Sequence, residues 1–161
     1  MRISITSHTD KILILVSIFI VLITIILSII IYPRLPETIP THFNASMEAD
    51  GFGSKSNIFL ISGIDIACVA VTIFSSFFPN LVNLPIRLNP EKLIIQQRIC
   101  SRMCRVLGVW CSILFLSILL SMSASILLSS NTLWRILFFI SITGVIGTCL
   151  IYTIKVYRAG K

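Results

Sequence analysis

The chain alternates long apolar stretches with short polar ones. Residues 12–31 contain no charged side chain, and residues 58–78 contain only one, Asp65. At a rise of about 1.5 Å per residue, twenty helical residues extend about 30 Å, which is the thickness of the hydrocarbon core of a bilayer. Two later apolar stretches have a similar length. The pattern predicts an all-α membrane protein, a single-domain bundle with transmembrane helices at about 12–32, 58–78, 106–128 and 133–156.

The first apolar stretch is read as a retained helix. The apolar region of a cleaved signal peptide has about 7–15 residues and precedes a site with small side chains. Here the stretch is longer and ends in Tyr32-Pro33-Arg34.

The polar segment 33–57 between the first two spans is predicted to be an ordered loop. Pro33, Pro36 and Pro40 each remove a backbone donor and disfavour helix at the preceding residue, so the loop should start in an extended conformation. Residues 41–43 are expected to pair with residues 51–53 as a small hairpin. The residues between them are rich in polar side chains that hydrogen-bond locally in turns.

A second connection, 79–105, combines a short loop with a predicted amphipathic helix. The sequence 89–91, Asn-Pro-Glu, is typical of a helix start, with a capping side chain, Pro in the first turn and an acid near the helix N-terminus. Arg98, Arg102 and Arg105 then lie along a face separate from the aliphatic residues. We expect these arginines to contact anionic lipid at the cytoplasmic face or a cytoplasmic regulator.

Composition and charge agree with a membrane protein. Hydrophobic residues make up 56% of the 161 residues and charged residues only 12%, against about 25% charged in soluble domains. The net charge of +7 needs no nucleic acid partner, because basic residues commonly flank spans. Ten Lys and Arg flank the spans on one side and three on the other. The positive-inside rule then places both termini in the cytoplasm and 33–57 outside.

Two groups of ionisable residues stand out as candidate sites. Asp65 lies seven residues into its span, where a charge is costly and usually has a partner. Arg135 begins the fourth span from the same side, so an intramembrane Asp65–Arg135 pair is a prediction; a proton or cation on Asp65 is its alternative. In the outer loop the candidate binding or structural residues are His42, Phe43, Asn44, Glu48, Asp50, Gly53, Ser54 and Lys55.

No metal site, cofactor or enzymatic activity is predicted. His42, Glu48 and Asp50 are residue types that bind zinc or calcium, but their spacing matches no established metal motif. Cys100 and Cys104 are one helical turn apart and are interpreted as packing residues rather than metal ligands. The sequence contains no pattern typical of a catalytic triad, a nucleotide-binding loop or a zinc protease.

The outer loop resembles the signature of a bacterial membrane family of unknown function. The resemblance rests on Leu35-Pro36, Ile39-Pro40, His42-Phe43-Asn44, Asp50 and Gly53-Ser54-Lys55, and continues more loosely through Leu84-Pro85 and Leu88-Asn89-Pro90-Glu91. One departure is Met47, where the family usually has Gly. That domain also forms the N-terminal part of SdpI-type proteins, which give immunity to the sporulation-delaying toxin.

The resemblance implies a multi-pass protein of the bacterial cytoplasmic membrane and an immunity or signalling function. In this hypothesis the outer loop binds a peptide toxin or an envelope ligand. Two alternatives remain open. One is a small transporter or accessory subunit with Asp65 as its ionisable site, and the other is a structural membrane protein without a ligand.

Overall fold

The structure, a computed structural model, describes residues 7–46, 48–127 and 132–161. The described residues contain four long helices and one two-stranded hairpin: α1 His8–Ile31, β1 Thr38–Phe43, β2 Ala49–Ser54, α2 Asn57–Phe77, α3 Leu93–Leu127 and α4 Thr132–Gly160. Short 3-10 helices at Tyr32–Arg34, Pro79–Leu81 and Pro90–Lys92 lie in the connections. Each of the four helices is long and apolar enough to cross a membrane. The predicted helical fold with four candidate spans is therefore confirmed, and the helices indicate a multi-pass membrane protein.

The predicted boundaries hold for α1, α2 and α4 to within a few residues at most ends, although α1 starts earlier at His8 and α4 extends to Gly160. The main difference concerns α3. The sequence predicted an amphipathic helix up to 105, at the membrane surface or emerging from it, and a third span from 106; in the structure both lie in one continuous helix of 35 residues, Leu93–Leu127. No proline interrupts this helix, so the predicted amphipathic segment up to residue 105 and the predicted third span form one element. Met47, and residue 128 at the predicted end of the third span, lie outside the described residues.

The interior of the bundle contains many small polar side chains, whereas its exterior is largely apolar. Along α1, buried Ser17, Thr24 and Ser28 face the other helices, whereas Leu15 and Phe19 are 65% and 62% exposed. Exposed aliphatic and aromatic side chains of this kind are stable when surrounded by hydrocarbon. This arrangement is typical of helices that associate inside a bilayer, where small and polar side chains form the contacts.

Helix α3 is the central element of the bundle. It packs against α1, α2 and α4, and α1 also packs against α2. Small residues allow these close approaches. A Cβ atom on Gly108 would lie 2.8 Å from the hydroxyl of Thr72, and one on Gly144 would overlap the indole ring of Trp110.

The hairpin is joined to one end of the bundle by an apolar plug. Leu35 and Ile39, which precede Pro36 and Pro40 in the sequence, are 5% and 0% exposed. They form one buried cluster with Ile58 of α2 and with Leu119 and Met122 of α3. The segment before the hairpin and its first strand therefore place the side chains of Leu35 and Ile39 between α2 and α3. We call this end of the bundle the hairpin end.

At the opposite end, the polar residues that start α3 also hold the end of α4. The side chain of Asn89 accepts a hydrogen bond from the backbone N–H of Glu91, as predicted for a capping residue, and donates to the carbonyl of Gly160 at 2.8 Å. Buried Gln96 donates to the carbonyl of Val156 at 3.0 Å. These bonds connect residues that are 60 to 71 positions apart in the chain.

Candidate functional site

The hairpin at residues 38–54 is organised by its turn. The strands pair antiparallel, with Ile39 opposite Gly53 and His42 opposite Gly51, and the register shifts on both sides of His42. A hairpin forms in this segment as predicted, but its strands are longer than residues 41–43 and 51–53. In the turn the side-chain oxygen of Asn44 accepts hydrogen bonds from the backbone N–H groups of Ser46 and Glu48, at 2.9 and 3.0 Å. A single asparagine thus satisfies two backbone donors that the strands leave unpaired.

A hydrogen-bonded pair and an ion pair stabilise the hairpin. His42 Nδ1 lies 2.5 Å from Asp50 Oδ1 across the strands, with both side chains substantially exposed. Lys55 Nζ lies 2.9 Å from Glu37 Oε1, and this contact raises the pKa of Lys55 above its ordinary value. Gly51 is required opposite His42, because a Cβ atom there would lie 2.8 Å from the His42 Cβ. His42 and Asp50 therefore form a pair on the surface of a folded hairpin.

The outward surface of the hairpin is partly apolar. Phe52 is 64% exposed on β2, next to the exposed His42–Asp50 pair. The turn also contacts the fourth helix, because Arg135 donates a hydrogen bond to the carbonyl of Ser46. The apolar plug brings the hairpin into contact with α2 and α3, and the Arg135–Ser46 hydrogen bond connects it to α4. The hairpin is joined to α1 through residues 32–37.

The predicted outer-loop residues come together in one structure, but in different roles. His42 and Asp50 are exposed, Asn44 holds the turn and pairs with Glu48, and Ser54 bonds to Ser56. Half-buried Phe43 packs against the apolar plug. Gly53 lies opposite Ile39, and a Cβ atom there would crowd the side chains of Asn57 and Thr41. No cluster of three or more potential metal-binding side chains occurs among the described residues.

Asp65 is completely buried in α2. Neither carboxylate oxygen has a hydrogen-bond partner among the described residues. The hydroxyl of Thr24 on α1 faces this carboxyl group, but its proton is donated to the carbonyl of Ile20 at 3.0 Å. An ionisable group inside a span without a partner is costly, which makes it a candidate functional site.

The structure does not form the predicted pair between Asp65 and Arg135. The prediction required α2 and α4 to be neighbours, but in the described structure α3 packs against each of them and they do not pack on each other. Arg135 reaches the hairpin turn instead. The physical reason is the position of α3 in the centre of the bundle, which the sequence alone does not reveal.

A buried ion cluster at the opposite end of the bundle was missed by sequence reasoning. Asp10 of α1 is 4% exposed and accepts two hydrogen bonds from Arg102, at 3.0 and 3.2 Å. Arg105 Nη1 lies 3.1 Å from the same carboxylate. Ser7 caps α1 and donates a hydrogen bond to Asp10 at 2.6 Å. The available signal was an acid in the first turn of α1 together with two arginines three residues apart.

The three arginines predicted to contact lipid therefore separate into different environments. Arg98 is exposed, Arg102 is half-buried and Arg105 is 3% exposed. Arg105 also has two nitrogen atoms, Nε and Nη2, without hydrogen-bond partners among the described residues. For Arg105 the expectation of an outward-facing side chain is corrected, because the buried Asp10 attracts it into the bundle.

Comparison with known proteins places the hairpin inside a recognised sequence unit. Residues 19–65 match a family described as Domain of unknown function (DUF1648). An uncharacterized protein of Archaeoglobus fulgidus is 36% identical over 62 residues, which are 34% of this chain and 34% of that protein. The chain thus spans about a third of the length of this relative. No solved structure matches the chain.

The family match covers most of α1, the whole hairpin and the first part of α2, and it ends at Asp65. It therefore includes the apolar plug residues Leu35, Ile39 and Ile58. It also includes Asp65 itself and Thr24, the residue of α1 that faces it. The family description assigns no activity to this unit.

Proposed function

We propose that this chain is a multi-pass protein of the bacterial cytoplasmic membrane that binds a ligand through its hairpin, as an immunity or signalling protein. The hairpin lies outside the cell and both termini are cytoplasmic. The ligand is a peptide toxin or an envelope component. A cytoplasmic regulator and anionic lipid are partners at the other face, where Arg98 is exposed. The proposal assigns no chemical reaction to the chain.

The observation that carries the proposal is the docked hairpin with an exposed recognition surface. Its inner side is fixed by Leu35 and Ile39, so the outer side is held in one orientation. The outer side presents Phe52 together with the His42–Asp50 pair. An exposed aromatic side chain beside charged groups on a rigid support is a typical arrangement for peptide binding. The contact between Arg135 and Ser46 gives a route from the hairpin to α4.

The orientation is tested by labelling in intact cells. Cysteines are introduced singly at exposed Ser46 and exposed Glu91, in a chain whose five native cysteines are replaced. A membrane-impermeant maleimide should label position 46 in intact cells and position 91 only after permeabilisation. Labelling in the opposite order would refute the proposed orientation.

The binding function is tested by challenge of a sensitive bacterial strain with a panel of membrane-active peptide toxins. Cells producing the chain should survive at least one toxin better than cells with an empty vector. Phe52→Ala should remove the protection, because it deletes the largest exposed apolar group of the hairpin. The control is Phe59→Ala, which removes an exposed aromatic side chain from α2 rather than from the hairpin. Protection that survives Phe52→Ala, or that is absent for every toxin tested, would count against this function.

A small transporter or accessory subunit is the second candidate function, and the buried, unpartnered carboxylate of Asp65 favours it. In proteoliposomes, cation flux should then depend on Asp65 and disappear in Asp65→Asn. Flux that is the same in the variant and in the original protein would exclude a transport role for this residue.

A further inference from the structure

Four buried side chains that carry oxygen atoms line the contact between α1 and α2 below the apolar plug, in two pairs one helical turn apart. Thr24, Ser28 and Asp65 are 0% exposed and Ser62 is 5% exposed. The hydroxyls of Ser28 and Ser62 lie 2.7 Å apart. The antiparallel helices therefore place Ser28 beside Ser62 and, one turn further into the bundle, Thr24 beside Asp65.

The hydroxyl protons of this cluster are directed elsewhere. Thr24 donates to the carbonyl of Ile20 at 3.0 Å and Ser28 to the carbonyl of Thr24 at 2.9 Å. Ser62 has the carbonyl of Ile58 at 3.3 Å and the hydroxyl of Ser28 as neighbours. No described hydrogen bond brings a proton to either oxygen of Asp65. Among the described residues, no positively charged side chain therefore lies beside the carboxyl group of Asp65.

A small, hard cation can supply the positive charge that the described residues do not place there. Hard cations prefer carboxylate, hydroxyl and carbonyl oxygens, and this cluster contains only oxygen donors. The cluster has a single carboxylate, so one positive charge neutralises it. A divalent ion would leave an uncompensated charge in the bundle interior, where such a charge is costly. We propose that Asp65, Thr24, Ser28 and Ser62 bind one Na⁺ ion between α1 and α2.

The site has a defined position relative to the hairpin. Ile58, which lies one turn before Ser62 on α2, belongs to the apolar plug under Leu35 and Ile39. The plug separates the oxygen cluster from the hairpin end of the bundle. This assignment deepens the second candidate function but does not need net transport, because binding alone completes the site.

The test is the thermal stability of the purified chain in nanodiscs at fixed pH and fixed ionic strength. Choline chloride is replaced stepwise by NaCl, and unfolding is followed by tryptophan fluorescence. A ligand that binds only the folded state at ten times its Kd raises the folded-to-unfolded ratio about 11-fold. For a chain of this size that corresponds to a rise in Tm of about 3–6 °C. The Na⁺ response should saturate, and KCl should give a smaller one.

Variants identify the ligands. Asp65→Asn keeps the shape of the side chain and should abolish the Na⁺ response, and Thr24→Val should weaken it at least several-fold. Ser141→Ala is the matched control, because Ser141 is fully buried in α4 and bonds only to the carbonyl of Phe138 in its own helix. This variant should keep the full response.

Direct binding of ²²Na⁺ to the same samples provides a second measurement if a variant unfolds too early. No Na⁺ response in the original chain, an equal response to K⁺, or a response retained in Asp65→Asn would overturn the assignment. If the original chain binds Na⁺ but carries no Na⁺ flux in proteoliposomes, transport is excluded and the binding site is retained.

Discussion

The ion cluster of Asp10, Arg102 and Arg105 allows a prediction in which two mutations of the same cluster have different effects. Asp10 is 4% exposed, accepts two hydrogen bonds from Arg102 at 3.0 and 3.2 Å, and forms an ion pair with Arg105 at 3.1 Å. Asp10→Asn keeps the shape of the side chain and removes its charge. Arg105, at 3% exposure, then becomes a buried cation without a counter-ion.

Breaking a buried ion pair from one side costs about 3–5 kcal/mol. Arg102 is 44% exposed in its side chain, so water screens part of the cluster and the lower value applies. A loss of about 3 kcal/mol corresponds to a decrease in Tm of about 6–12 °C for a chain of this length. We expect Asp10→Asn to produce a decrease of this size in detergent or nanodiscs, measured by tryptophan fluorescence during heating.

Arg105→Met should behave differently. It removes a buried charge that has two unpartnered nitrogen atoms, and it leaves the bidentate pair of Asp10 and Arg102 intact. Replacement of a buried charge by an apolar side chain of similar volume is often neutral or stabilising. We expect a change in Tm within about 4 °C, which corresponds to about 1 kcal/mol.

The double variant Asp10→Asn/Arg105→Met separates this explanation from a simple loss of packing. It should recover most of the stability that Asp10→Asn loses, because no buried cation remains without a partner. Arg98→Met, at an exposed position of the same helix, serves as the control and should leave Tm unchanged. A double variant no more stable than Asp10→Asn alone would refute the charge argument, as would an equal loss from Arg105→Met.

Three further predictions concern the apolar plug, the contact between α3 and α4, and the hairpin turn. Ile39→Ala should destabilise the chain by about 2–5 kcal/mol because it empties the centre of the apolar plug, whereas Thr38→Ala at an exposed neighbouring position should change stability by less than about 0.5 kcal/mol in the same thermal assay. Gly144→Ala should separate α3 from α4 and shift tryptophan emission, while Gly147→Ala, where a Cβ atom meets nothing within 4 Å, should have no effect. Asn44→Ala should expose the hairpin turn to protease, since two backbone donors lose their acceptor; a cleavage rate equal to that of the original chain would contradict this role.

Sequence reasoning predicted the elements of this protein well because their signals are local. Span length follows from counting uncharged residues, and the four long helices agree with that count. The hairpin follows from prolines that prevent helix and from polar residues suited to a turn, and residues 41–43 and 51–53 lie in its two strands. The region where α3 starts follows from Asn89, which caps the short 3-10 helix Pro90–Lys92 that leads into α3. Each of these features depends on residues close together in the chain.

The candidate sites were harder to predict because they depend on which helices are neighbours. Asp65 was singled out from the cost of its charge alone, but the partner chosen for it lies on a helix that does not pack against α2. Arg105 was predicted to contact lipid or a cytoplasmic regulator together with Arg98, but in the structure it forms an ion pair with the buried Asp10. The contact of Thr24 with Asp65 joins residues 41 positions apart, and no local pattern indicates it.

The amino-acid sequence by itself determined that this chain forms four apolar helices around an ordered polar loop. Only the tertiary structure decided which face of each helix points inward. The physical reason lies in the surroundings of a membrane protein. In water, the apolar face of a helix marks the side that packs. In a bilayer both the lipid and the helix surface are apolar, so hydrophobic periodicity does not distinguish them. The inner faces are marked instead by small and polar side chains such as Thr24, Ser28 and Ser62, whose partners become apparent only when the helices are assembled.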